Sequence, residues 1–157
     1  MTPPLSPSST LLPYDEAGRG RPVVLLHARP TDRTMWRARL PLLADAGVRA
    51  IALDLPGHGD AHVPADRAVS PWTDVLDTLD HLGADRFVLA GNSLGALVAL
   101  QAAVTAPERV EGGEELAREL GAGRPVVIPA AGHLAPLEQP TAFCTLLLDF
   151  VRRLPNQ

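Results

Sequence analysis

Two glycines bracket a serine in Gly91-Asn92-Ser93-Leu94-Gly95, and the residues on either side make that serine a candidate nucleophile. Residues 87–90 form a short apolar run that suits a buried strand, and the alanine-rich stretch after Gly95 suits a helix. Ser93 therefore falls on a strand-to-helix turn, the G-x-S-x-G nucleophile elbow. A serine on so sharp a turn is held strained with its hydroxyl exposed, while the flanking glycines remove the β-carbons that would clash as helix and strand approach. The chemistry implied is attack by the Ser93 hydroxyl on an acyl carbon. Such an attack needs a general base, and His133 is the candidate. It lies in a glycine-containing loop, residues 130–134, just past a further expected strand at 126–129.

The elements that must position these groups can be read back along the chain. Residues 10–15 and 21–27 are expected as two strands joined by the Gly18-Arg19-Gly20 turn, the second a continuous aliphatic run as in a sheet buried on both faces. That strand runs into His27-Ala28-Arg29-Pro30, at the end of an open α/β sheet where ligands bind. The backbone N–H of Arg29, with that of Leu94, can there face a developing oxyanion. His27 is better read as a structural loop histidine. Residues 31–47 carry Met35, Trp36, Leu40 and Leu43 at helical spacing, with Pro41 expected to kink or divide the helix. A strand at 48–53 closes in Asp54-Leu55-Pro56-Gly57-His58-Gly59, where Asp54 and His58 are read as shaping the loop rather than as catalysts.

Ser70-Pro71 starts the next helix with a cap residue and a proline at its first position. Trp72, Val75, Leu76, Leu79 and Leu82 form its apolar stripe, and Asp74, Asp77 and Asp80 are expected on a solvated face. A short helix near 114–120 and an amphipathic helix at 140–154 complete the pattern. Strand and helix alternate, so a mostly parallel sheet with helices on both faces is expected.

Composition sets the class. With 157 residues, 46% of them hydrophobic and 20% charged, the chain suits one globular domain over residues 11–157 behind a disordered tail at 1–10, which holds three prolines and three serines. A net charge of −4 gives no basic footprint for nucleic acid or an anionic membrane. No apolar run is long enough to span a bilayer, and the first residues do not look like a signal peptide, so a cytoplasmic protein is expected. The single cysteine, Cys144, is read as a small buried hydrophobe. No metal-ligand spacing and no phosphate loop occur, and no cofactor is implied.

His27-Ala28-Arg29-Pro30 with Trp36, D-L-P-G-H-G at 54–59, L-D-H-L-G at 79–83, G-N-S-L-G at 91–95 and G-H-L-A-P-L-E-Q-P at 132–140 together resemble the α/β-hydrolase fold family, in its serine esterase and lactonase branch. The resemblance implies Ser93 as nucleophile, His133 as base, the N–H groups of Arg29 and Leu94 as the oxyanion hole, and a small ester or lactone as substrate. A serine in the elbow, rather than an aspartate, argues against the haloalkane dehalogenase and epoxide hydrolase branches.

The pattern breaks after Val110. Members of the family normally carry there two more strands, a helical cap and a loop bearing the catalytic acid, in chain order serine, acid, histidine. Residues 94–132 contain no aspartate, and the chain reads as though the family's strand begins at Arg109-Val110 and then resumes at the helix before its last strand. A deletion is the simplest account, giving a shortened fold without its cap. Glu108, Glu111, Glu114, Glu115 and Glu119 are the carboxylates left between serine and histidine, each read first as an exposed charge, with Glu111 or Glu114 reaching His133 only by rearrangement. The strand at 126–129 must then pair beside the elbow strand or leave an open edge, which invites self-association as a homodimer. The alternative to a serine hydrolase is a catalytically impaired shortened fold serving as a binding module or a remnant.

Overall fold

The computed structural model describes residues 11–112 and 126–155. Within them four strands form one sheet in the order β1-β3-β2-β4, with β1 at Tyr14–Ala17, β2 at Arg21–Leu26, β3 at Val48–Leu53 and β4 at Val88–Gly91. β2 pairs in parallel with both β3 and β4, and β1 is antiparallel to β3. A 3₁₀ turn at Arg33–Trp36 precedes α1 (Leu40–Asp45); α2 spans Pro71–His81, α3 Leu94–Thr105, α4 Ala135–Glu138 and α5 Pro140–Arg153.

Strand periodicity distributes the core over both faces of the sheet. Along β2, Val24 and Leu26 face the layer of α2 and α3, packing with Val75, Leu79, Val98 and Ala102. Val23 and Leu25 face the other way, toward Met35, Trp36, Leu43, Val151 of α5 and Leu154 just past its end. The apolar runs of β2 and β3 are therefore continuous because each strand is covered on both sides. Pro41 divides the expected long helix: it stands in the first turn of α1, with the 3₁₀ turn separate before it. Cys144 is buried, and burial pushes its thiol pKa up. No helix among the described residues is long and apolar enough to cross a membrane.

Asp54 closes β3 fully buried and organises the loop that follows. Its carboxylate accepts the Arg33 N–H at 2.7 Å and the Asp60 N–H at 2.8 Å, and it pairs with the Arg33 guanidinium. Arg33 reaches Asp15 and Asp60 as well. Asp54→Ala is expected to cost about 3 kcal/mol, since two backbone donors and a half-desolvated guanidinium lose their acceptor together. A urea midpoint with an unchanged slope measures it.

Three expectations need correction. Asp74 is not on a solvated face: it is buried and paired with Arg67, which the 61–69 loop folds over α2, and Asp80 pairs with Arg109 at 2.7 Å. Burial pushes the Asp74 carboxyl pKa up against the pull of that guanidinium. The first strand starts later than expected, because the Leu12 N–H donates to the Thr78 hydroxyl of α2 at 3.0 Å instead of joining the ladder. Residues 126–129 form no strand; Val126 and Val127 are 68% and 77% exposed. An apolar run becomes a strand only where a neighbouring edge takes its hydrogen bonds. Beside β4 that edge is used once, by a parallel bridge of Phe87 with Val110, in which the Phe87 N–H donates to Arg109 O at 3.0 Å and the Glu111 N–H donates to Phe87 O at 2.8 Å. Among the described residues no other segment pairs beside β4, and 126–129 have no ladder to extend. The tail at 1–10 and the expected helix near 114–120 lie outside the described residues.

Candidate active site

Ser93 stands between β4 and α3 with φ 53° and ψ −111°, a region that side-chain-bearing residues seldom occupy and that costs on the order of 1–3 kcal/mol. The turn is held by the Asn92 N–H, which donates to Leu26 O at 3.1 Å, and by the Ser93 carbonyl, which accepts from Ala96 N–H at 3.0 Å. Both bracketing glycines are there for contact. A β-carbon on Gly95 would overlap Leu26 O and lie 2.8 Å from His27 O; one on Gly91 would meet the backbone of Gly95 and lie 2.5 Å from Ala96 N. The helix thus starts directly against the end of β2.

Because Leu26 and Gly91 are register partners, the loops that leave β2 and β4 emerge side by side. One carries Arg29, which is exposed three residues beyond β2; the other carries Ser93 and Leu94, the first residue of α3. His133 arrives from the far end of the chain and is exposed. Its loop is joined to the serine turn by the Asn92 Nδ2–H, which donates to the His133 carbonyl at 3.0 Å. Among the described residues no hydrogen bond links the Ser93 and His133 side chains.

The candidate acids fare differently. Glu111 is buried, not exposed as expected, and pairs with Arg21 Nε at 3.2 Å. Arg21 opens β2 whereas Ser93 follows the strand end next to Leu26, so this carboxylate sits at the opposite end of the sheet from the serine and does not serve His133. Glu114 lies outside the described residues, as do Glu115 and Glu119; Glu108 is exposed.

His27 is structural in this geometry. It is fully buried, its Nε2 accepts the Leu55 N–H at 2.9 Å, and the proton therefore resides on Nδ1, which donates to Ala28 O at 2.9 Å. Its ring lies 5.1 Å from that of His58, whose Nδ1 meets Pro56 O at 3.1 Å. Burial lowers the His27 pKa below its ordinary 6.5, with the His58 charge adding to the fall and the Ala28 carbonyl, Asp54 and Asp32 opposing it. The unfolded chain then binds the proton that the folded chain refuses, so this residue's contribution to stability is complete above 6.5 and is lost as pH falls from there toward the folded value. Urea midpoints should drop between about pH 7 and pH 5 in the native protein, and less steeply in His27→Gln.

Spacing did not single out the polar side chains that hold the His133 loop. The Glu138 carboxylate accepts the Gly132 N–H at 2.7 Å and the Leu134 N–H at 2.9 Å. Gln139 Nε2–H donates to Ala130 O at 3.2 Å, and the buried Arg39 guanidinium donates to Pro136 O at 2.7 and 3.0 Å. These bonds go to backbone atoms, and the sequence signal for Glu138 and Gln139 is their place in the G-H-L-A-P-L-E-Q-P run at 132–140, which does not say what they bind.

Comparison with known proteins agrees with this architecture. The profile of a family described as alpha/beta hydrolase fold matches residues 21–113. An epoxide hydrolase of Siraitia grosvenorii is 37% identical over 98 residues, which cover 60% of this chain and 31% of that protein. The dihydrolipoyllysine-residue acetyltransferase component of an acetoin cleaving system in Pseudomonas putida is 43% identical over 93 residues, covering 58% of this chain and 25% of that one. Bifunctional epoxide hydrolase 2 of Sus scrofa is 30% identical over 133 residues, 81% of this chain and 22% of its own length. Among solved structures, a thermophilic esterase from Thermogutta terrifontis superposes with a TM-score of 0.58 at 36% identity over 63% of this chain and 37% of that one. An epoxide hydrolase from Vigna radiata gives 0.58 at 30% identity, covering 62% and 33%. The chain spans about a third or less of the length of these relatives. With its doubly covered, mostly parallel sheet, shortened relative to these proteins, the chain belongs to the α/β hydrolase fold family.

Proposed function

We propose that this chain is a serine hydrolase of small carboxylic esters or lactones, working through an acyl-enzyme on Ser93. In this reading the Ser93 hydroxyl attacks the acyl carbon and His133 takes its proton, while the N–H groups of Arg29 and Leu94 receive the oxyanion. The alcohol leaves with the proton returned by His133, and water then releases the acid by the same steps in reverse roles. The observation that carries the reading is the backbone of Ser93, at φ 53° beside the loop that leaves β2. Strain of that kind persists where the surroundings impose it, and it is how a hydroxyl is kept presented. The named relatives include both epoxide hydrolases and an esterase; the serine in the turn favours the ester chemistry.

A second reading has its own support. Among the described residues no carboxylate bonds the His133 ring, and Glu111 is committed to Arg21. A shortened hydrolase fold with impaired chemistry, serving as a binding module or a remnant, follows from that. Pre-steady-state hydrolysis of p-nitrophenyl acetate, with labelling by a serine-reactive phosphonate, separates the two. A burst and a label at Ser93 support the hydrolase; neither, in folded protein, leaves the second reading.

A further inference from the structure

The His133 loop lacks the supports that usually position such a segment. Among the described residues no strand leads into it, 126–129 being irregular, and no carboxylate bonds its ring. Yet its backbone is tied at three consecutive residues. The Glu138 carboxylate takes the Gly132 N–H with one oxygen and the Leu134 N–H with the other, and the intervening His133 carbonyl takes the Asn92 Nδ2–H at 3.0 Å. The first two bonds are charge-assisted, at 2.7 and 2.9 Å, and they hold the N–H groups of the residues on either side of His133 with one carboxylate. The Leu134 N–H and the His133 carbonyl belong to one planar peptide unit, so the bond that holds the first also aims the second, which meets the residue preceding Ser93.

We infer that Glu138 is the positioning residue of this site: its carboxylate bridges the amides flanking His133 and so holds the His133 loop against the Asn92-Ser93 turn. The inference rests on the serine-hydrolase reading for its catalytic consequence, but the loop geometry can be measured without turnover. Arg39, which anchors Pro136 O from the other side, keeps the short helix α4 in place so that Glu138 can reach back. The simpler role, in which Glu138 only ties off the start of α4 at Leu134, is distinguished by Gly132. A helix tie needs no bond to a residue two positions upstream of Leu134, and Gly132 is close enough that an added β-carbon would lie 3.0 Å from a Glu138 oxygen.

Glu138→Ala and Glu138→Gln in the full chain test it, by hydrogen exchange of the Gly132 and Leu134 amides and of the Asn92 side-chain amide, by acylation kinetics with p-nitrophenyl acetate, and by urea unfolding. Expected in Glu138→Ala is faster exchange at all three positions and acylation slowed by about ten- to a hundredfold with KM changed less than about twofold, as befits a misplaced base rather than lost substrate binding. Glu138→Gln keeps one acceptor oxygen and is expected to recover part of both effects. If the Ala variant does not fold, the Gln variant alone decides, by the same exchange and rate measurements. Unchanged Asn92 exchange, or a normal acylation rate despite freed Gly132 and Leu134 amides, overturns the assignment while leaving the proposed function standing. Absence of Ser93-dependent acylation in the native protein, with exchange at Asn92 still governed by Glu138, overturns the proposed function and leaves the loop assignment in place.

Discussion

Ser93→Ala is expected to remove phosphonate labelling and the acyl-enzyme burst completely, and to lower steady-state turnover of an activated ester by only about a hundredfold. The size follows from how triads fail. Removing the nucleophile of a complete serine triad costs about 2 × 10⁶ in kcat, while removing its acid alone costs on the order of 10⁴. A centre without an acid has therefore already lost most of what the serine supplies, and about two orders of magnitude remain to be lost. No carboxylate is bonded to the His133 ring among the described residues, and Glu111 is engaged with Arg21 at the other end of the sheet. A fall near a hundredfold would match a serine and a histidine acting alone. A fall near a millionfold would mean that an acid reaches His133, and would redirect attention to residues 113–125. No change at all, with no label, would end the hydrolase reading.

Gly95→Ala is expected to lower stability by about 3 kcal/mol or more. The new β-carbon would overlap Leu26 O and approach Leu26 C at 2.5 Å and His27 O at 2.8 Å, all backbone atoms that no rotamer change can move. Overpacking of this kind typically costs about 1–3 kcal/mol where side chains can adjust, and more where they cannot. The displaced carbonyl also accepts the Asn92 N–H that fixes the serine turn, so Ser93 should lose its backbone geometry together with stability. Urea unfolding measures the first effect and phosphonate labelling the second. A variant of native stability would show that α3 can lift from β2 at little cost, and the close approach would then not be what holds the serine turn.

What the sequence made legible follows from the range of the forces involved. The limits of β3, Val48–Leu53, match expectation because an aliphatic run bounded by Gly47 and Asp54 carries its own start and stop. The division at Pro41 and the start of α2 at Pro71 are likewise local. The strand expected at 126–129 fails because hydrophobicity specifies burial but not the neighbour that must take the hydrogen bonds, and among the described residues the pairing beside β4 is the bridge of Phe87 with Val110 alone. Asp74 and Glu111 depart from expectation for a related reason. Each is buried by an arginine, Arg67 in one case and Arg21 in the other, whose arrival depends on the folded arrangement rather than on spacing. Within the candidate site, Ser93 was legible because glycines on both sides announce a close backbone approach. Glu138 was not, because its partners are peptide N–H groups, which every residue but proline has.

The segment after Gly112 joins two parts that hold each other by direct contact. Arg21 donates to Val151 O at 3.0 Å, Arg39 to Pro136 O, and Phe150 packs so closely on Gly112 that an added β-carbon there would overlap its ring. None of these bonds runs through residues 113–125. Chain length at this junction then enters the free energy mainly as loop-closure entropy, which grows with the logarithm of length and costs only about 0.6 kcal/mol for each doubling. Lengthening or shortening the segment between Gly112 and Val126 is therefore expected to change stability by far less than cutting any one of these contacts.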